Sequence, residues 1–187
     1  MRRLVITENI TIDGVIDASG GWFDPTDEAI DQSDLIEQTQ LHSAAADAIL
    51  CGRKTFEAFR GFWPKQTEDK TGVTDYLNRV HKYVVSSTMT DPEWENSSVL
   101  RGPLAEEVSK LKEQPGRDIV VAGSIELVHG LIAAGLVDEY RLFVYPVVVG
   151  TGARLFEEGA SVPGLELTDS RTFNAGVALL TYRVRTP

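Results

Sequence analysis

Three short segments of the chain combine glycine, hydroxyl and basic residues at the point where an apolar run ends: Gly52-Arg53-Lys54-Thr55, Ser86-Ser87-Thr88 and Gly123-Ser124-Ile125. Glycine lets a phosphate approach the backbone, and a helix that starts just after such a turn offers unpaired N–H groups and a partial positive end. The Arg53 guanidinium adds a planar fork that matches a phosphate. One such corner is simply what every α/β protein needs between a strand and a helix. Three together, with Arg53 and Lys54 among them, make a phosphate-bearing ligand as good a reading as a structural one. Neither a G-x-G-x-x-G nor a Walker loop occurs.

The elements that must hold these corners follow from the apolar pattern. Arg3 to Thr11 reads as a first strand, and Asp47 to Gly52 as a short buried one. Lys82 to Ser86 and Asp118 to Ala122 read likewise, with a weaker strand near Ser98–Leu100. Asp24-Pro25-Thr26 reads as a helix start, with a helix running to about Ala46. Further helices are expected over Arg53–Phe59, Val73–Val80 and Leu104–Lys112, and from Ile125 to a stop at Gly135. Val137–Val149 is apolar enough for a long central strand, and Asn174-Ala175-Gly176 splits a terminal pair, Leu165–Phe173 and Val177–Arg185. Alternating strands and helices that end in an antiparallel pair indicate one α/β domain over residues 1–187, with a mixed, mostly parallel sheet.

Composition narrows the partners. The net charge is −10 with 28 acidic against 18 basic residues, which argues against nucleic acid, because a phosphate backbone needs a basic footprint. An acidic molecule that binds an anionic ligand must use local donors at helix starts and a few placed cations. No apolar run reaches the roughly 20 residues that span a bilayer. Cys51 is the only cysteine, so no internal disulfide exists and a reducing cytoplasm is the expected setting. His42, His81 and His129 are scattered without metal-ligand spacing, so no metal site is expected. No G-x-S-x-G appears either, which argues against covalent hydrolysis.

The segments, taken in order, resemble the dihydrofolate reductase-like superfamily, and within it the C-terminal reductase domain of bifunctional riboflavin-biosynthesis deaminase/reductases (the RibD C-terminal domain family). They are Ile12-Asp13-Gly14-Val15-Ile16; Ala48-Ile49-Leu50-Cys51-Gly52-Arg53-Lys54-Thr55-Phe56; Lys82-Tyr83-Val84-Val85-Ser86-Ser87-Thr88; Val121-Ala122-Gly123-Ser124; and Leu136 through Leu142 with Pro146 through Phe156. The resemblance implies a three-layer α/β/α domain that binds NADPH. Gly52, Arg53, Lys54 and Thr55 match the family turn whose arginine faces the 2′-phosphate and whose threonine faces the pyrophosphate. Ser86, Ser87 and Thr88 match the turn at the adenosine end. Gly123, Ser124 and Ile125 match the turn behind the pyrophosphate and nicotinamide ribose. The family commonly has two glycines there, whereas this chain has Ala122-Gly123, and the extra methyl leaves cofactor affinity open.

On the substrate side, Thr11 and Asp13 fall where the family places its pocket mouth, although Asp13 beside Gly14 is equally a turn-former. Trp22 and Phe23 correspond to the mobile loop of dihydrofolate reductase, where an aromatic lid would exclude water; core packing is the plain alternative. The first helix carries Asp27, Glu28, Asp31, Asp34 and Glu37, none set apart from the rest, so the catalytic acid is unassigned.

The expected function is NADPH-dependent hydride transfer to a small, pteridine- or pyrimidine-like heterocycle, with a non-catalytic nucleotide-binding protein of the same fold as the alternative. The zinc deaminase motifs H-x-E and P-C-x-x-C are absent, so a riboflavin role does not follow. A homodimer is expected from the resemblance, through sheet edges and the apolar stretch Phe143–Val149.

Overall fold

The computed structural model describes residues 1–23, 30–162 and 164–185. Its centre is an eight-stranded sheet whose strands are, in chain order, β1 (Leu4–Thr11), β2 (Ala46–Gly52), β3 (His81–Val85), β4 (Ser97–Leu100), β5 (Asp118–Val121), β6 (Glu139–Tyr145), β7 (Leu165–Thr172) and β8 (Ala178–Val184). They lie in the order β4-β3-β2-β5-β1-β6-β8-β7. The six strands from β4 to β6 run parallel, and β8 and β7 close the sheet as an antiparallel pair. A mostly parallel mixed sheet with a C-terminal hairpin is what the pattern predicts.

Among the described residues, five α-helices cover both faces: α1 (Ser33–Ala44), α2 (Arg53–Phe62), α3 (Val73–Arg79), α4 (Leu104–Glu113) and α5 (Ile125–Ala133). Leu4, Ile6 and Ile10 of β1 join Leu50, Ile119 and Val121 under Val108 and Leu111 of α4 and Val128 and Leu131 of α5. On the other face Ile49, Cys51 and Val84 pack against Phe56 and Leu77, while Leu35 of α1 meets Phe143, Val177 and Leu179. The parallel strands are therefore buried on both sides, which explains why they read as near-continuous apolar runs.

Two boundaries differ from expectation. The expected helix start at residues 24–26 lies outside the described residues, and α1 begins only at Ser33. There the Asp31 carboxylate accepts hydrogen bonds from the Ser33 N–H (3.0 Å) and hydroxyl (2.7 Å), an arrangement that turns the chain into the helix. The long strand expected over Val137–Val149 is shorter, Glu139–Tyr145. Pro146 brings no N–H to a ladder, and Val147 folds back to donate to the Tyr145 carbonyl at 2.8 Å.

Candidate active site

The three corners lie at the carboxyl ends of three adjacent strands, β3, β2 and β5. Register sets Gly52 level with Val85, so the first two corners sit side by side. The first and third are tied directly: the Gly52 N–H donates to Ser124 Oγ at 3.0 Å. Gly123 and Ser124 both take left-handed backbone, φ 64° and 62°. At Gly123 a Cβ would stand 3.4 Å from Thr55 Cγ2, so the space between the two turns has room for little more than the glycine hydrogen. Neither α2 nor α5 has a side-chain cap at its start, which leaves two neighbouring sets of helix N–H groups without a side-chain acceptor.

The side chains of the corners are in different conditions. Arg53 is 45 % exposed and pairs with Glu57 one turn on, at 3.2 Å. Lys54 approaches Glu126 of α5 at 3.6 Å, fully in solvent. Exposed pairs of this kind are worth about 0–1 kcal/mol, so either cation can exchange its carboxylate for a phosphate. Ser86 is committed to its own turn, accepting from the N–H groups of Thr88 (3.3 Å) and Met89 (3.0 Å), while Ser87 and Thr88 are exposed. Ile125 opens α5 and packs at the edge of the main core.

Across the sheet, β1 ends in a rigid knot. The Thr11 hydroxyl donates to Asp13 at 2.7 Å and accepts from the Val15 N–H at 2.9 Å. Asp13 also accepts from the Gly150 and Val149 N–H groups, at 2.8 and 3.3 Å. The Thr11 hydroxyl chiefly, then these two N–H groups, hold the Asp13 carboxyl below its usual range. Both residues thus fasten the end of β1 to the Val149–Gly150 turn. Trp22 and Phe23 form a ring cluster with Tyr145 at the end of β6, with centroids 5.6 and 5.3 Å from it. The Trp22 indole N–H is satisfied by the Asp17 carbonyl at 2.8 Å. A cleft of about 270 Å³ opens beside this cluster, lined by Trp22, Ile30, Gln32, Tyr145 and Ala175 among others. A larger recess of about 390 Å³ lies between α5 and residues 155–161, away from the corners.

Two groups were missed in the sequence. On the face covered by α1, Arg141 is buried between Glu139 (2.7 Å) and Asp118 (3.1 Å), and both acids also bind Arg3. Its Nη1 has no partner, nor has the hydroxyl of Thr7, its register neighbour on β1. His42 of α1 lies against Phe143, and burial, then the charge of Arg141, pushes its pKa down to about 4. Gln38 fixes its tautomer. The Gln38 carbonyl accepts from Arg171 at 2.9 Å, so its amide nitrogen faces His42 Nε2 at 2.8 Å. The ring therefore accepts at Nε2 and carries its proton on Nδ1, which is buried without a partner. Guanidinium, imidazole N–H and hydroxyl are each buried with an unpaired polar atom; nothing in the periodicity of α1 or β6 marks them, because each residue belongs to a different element.

The second missed group is Glu8. It is 6 % exposed, burial raises its pKa well above the usual carboxylate range, and its Oε1 is buried without a hydrogen-bond partner. Its signal was present: Leu4, Ile6, Glu8 and Ile10 alternate onto the same buried face, so a carboxylate occupies a core position.

The RibD C-terminal domain profile matches residues 2–179. The chain belongs to that family. It is 35 % identical to the uncharacterised YyaP protein of Bacillus subtilis over 187 residues, covering 97 % of this chain and 94 % of YyaP. Its fold is also that of a pyrimidine reductase-like protein from Corynebacterium diphtheriae (TM-score 0.66, 18 % identity, 100 % and 93 % of the two chains). It is likewise that of the dihydrofolate reductase of Enterococcus faecalis complexed with NADP(H) (TM-score 0.64, 16 % identity, 98 % and 97 %). In this RibD C-terminal domain the three corners stand at the ends of adjacent strands of one mixed sheet. Among the described residues no helix is long and apolar enough to cross a membrane.

Proposed function

We propose that this RibD C-terminal domain protein is an NADPH-dependent reductase that transfers hydride to a small pyrimidine- or pteridine-like heterocycle. The observation that carries the reading is the bond between Gly52 N–H and Ser124 Oγ, which joins two uncapped helix starts at the ends of adjacent parallel strands. Such a pair is where a pyrophosphate gains most from backbone donors in a molecule of net charge −10. Gly52, Thr55, Gly123, Ser124 and Ile125 would hold the pyrophosphate and nicotinamide ribose, Ser86, Ser87 and Thr88 the adenosine end, and Arg53 with Lys54 the 2′-phosphate. The bound cofactor supplies the hydride; the protein binds, orients and keeps water out. Trp22 and Phe23 would cover the substrate beside Tyr145, near Thr11 and Asp13, and the N–H donors of neutral His42 and cationic Arg141 suit a carbonyl-rich heterocycle.

NADPH titration of the protein, followed by quenching of Trp22 fluorescence, tests the binding. Micromolar affinity with NADPH oxidation by a member of a pteridine and pyrimidine panel is the expected result. Binding without turnover across the panel would favour a non-catalytic nucleotide-binding protein, and no association at millimolar NADPH would end both readings. For Arg53→Ala, the preference for NADPH over NADH should fall by about tenfold or more, the worth of one charge-assisted contact. An unchanged preference removes Arg53 from the 2′-phosphate.

A homodimer belongs to this reading, although the surface expected for it is largely used within the chain. Phe143 packs on Leu35, Val177 and Leu179, and in the stretch to Val149 the large exposed residue is Val148. The open edge of β7, with Leu165 and Leu167 exposed, is the better candidate for pairing. Light scattering on the eluted protein checks it.

A further inference from the structure

α2 begins with charge of the unfavoured sign. A helix gains from acids in its first turn and bases in its last, because its N-terminal end is partially positive. Among the described residues, the other four α-helices follow that rule. Asp34 stands in the first turn of α1, Asp75 in that of α3, Glu106 and Glu107 in that of α4, and Glu126 in that of α5. The first turn of α2 holds no acid. It opens with Arg53 and Lys54, two cations on a positive end that no side chain caps.

The pair between Arg53 and Glu57 is a poor remedy as a helix contact. In pairs four residues apart, acid before base is the better order, and here the order is reversed. Both Glu57 oxygens share one nitrogen, Arg53 Nη1, at 3.2 and 3.3 Å, instead of meeting the guanidinium in two parallel bonds. Both side chains are also close to half exposed, 45 % and 40 %. Neither helix stability nor pair geometry accounts for a cation at position 53, whereas a phosphate in front of the turn does.

We propose that Glu57 is a specificity-determining residue: it competes with the 2′-phosphate of NADPH for Arg53, and so limits the preference for NADPH over NADH. This rests on the reading above, in which Arg53 faces the 2′-phosphate. Arg53 takes the phosphate only when its pair with Glu57 is open, so the apparent NADPH affinity is lowered by the open fraction. A guanidinium that makes two parallel bonds to a dianion gains more than one that shares a single nitrogen with a monoanion, and the exchange goes forward. NADH has no 2′-phosphate, and the pair stays closed beside it. In the free protein the closed pair offsets the charge of Arg53 at the positive helix end. Glu126 has a different part. Its carboxyl, 3.6 Å from Lys54, is almost fully exposed and stands where α5 itself gains from an acid.

The test compares Kd for NADPH and for NADH at pH 8, where a phosphate monoester is dianionic. The proteins are wild type, Glu57→Gln, Arg53→Ala, the double variant and Glu166→Gln. Glu166 pairs with Arg185 at 3.6 Å on β7, the edge strand on the other side of the sheet from the corners. E166Q therefore removes the same charge from a comparable exposed pair. Taking the ratio of the two constants on one protein cancels any effect of a substitution on folding. E57Q should bind NADPH about two- to fivefold more tightly, the range of an exposed pair, with NADH affinity unchanged. In the Arg53→Ala background the same substitution should change neither constant, and E166Q should keep the wild-type ratio. An equal gain for both nucleotides, no gain for NADPH, a gain that persists without Arg53, or the same shift in E166Q each overturns the proposal while the cofactor assignment stands. Failure of wild type to bind NADPH overturns the cofactor assignment, and this inference with it.

Discussion

His42 shows how a chemical property is fixed by contacts rather than by residue type. Its ring is buried against Phe143, it faces the charge of Arg141, and Gln38 donates to its Nε2. We expect it to remain neutral, with the proton on Nδ1, down to about pH 4. Two-dimensional 15N–1H spectra of the imidazole would check this; a ring that charges near pH 6.5, or a proton on Nε2, would contradict it. Arg141 carries the opposite lesson. Truncating it to Ala leaves Glu139 and Asp118 buried with Arg3 as their remaining cation, and should cost about 3–5 kcal/mol in a urea unfolding experiment. Sequence reading located Arg53, Ser124 and Asp13, because turn chemistry marks them locally. It left out Thr7, Glu8, His42 and Arg141, whose meaning arises only when β1, β6 and α1 are laid side by side.

The corners were legible in the sequence as elements because each is a local event: a buried run, a small residue, a helix start. What the pattern did not contain is their mutual contact, in which a Gly52 N–H reaches Ser124 across 72 positions of chain. Gly123 is the position where this contact is most sensitive. Its φ of 64° is left-handed, and a methyl there would stand 3.4 Å from Thr55. Gly123→Ala should destabilise the protein by about 1–2 kcal/mol, the cost of left-handed backbone for a residue with a Cβ. It should also weaken NADPH binding more than Gly176→Ala, a control at φ 77° in the β7–β8 turn, remote from the corners. Equal affinity in both variants would detach Gly123 from the ligand. The entry to α1 was misjudged for a comparable reason: several acidic residues near Asp24-Pro25 look like a helix start, but the one that turns the chain, Asp31, is chosen by its bonds to Ser33 and to Asn174 of the β7–β8 turn.

For the whole molecule, two buried titratable groups act in opposite directions on stability. The folded pKa of Glu8 is raised, so above about pH 4.5 the unfolded chain ionises first, and folding loses free energy as pH rises toward the folded value. The folded pKa of His42 is lowered, so its contribution is complete above pH 6.5 and is lost as pH falls toward about 4. We therefore expect the melting temperature of E8Q to gain on wild type progressively as pH rises above 4.5. His42→Phe should remove part of the acid sensitivity between pH 6.5 and 4. Calorimetry across that range would show both trends, and pH-independent differences would refute this division of labour.

The amino-acid sequence alone settled the alternation of strands and helices, the parallel core and the three glycine- and hydroxyl-bearing strand ends, because periodicity, glycine and hydroxyl chemistry act over a few residues. The tertiary structure decided where β1 and β5 part, which corners touch, and that a carboxyl and a guanidinium lie buried in the sheet faces. Those facts depend on register between segments as far apart as Gly52 and Ser124, and on a low-dielectric interior that exists only after the chain has packed.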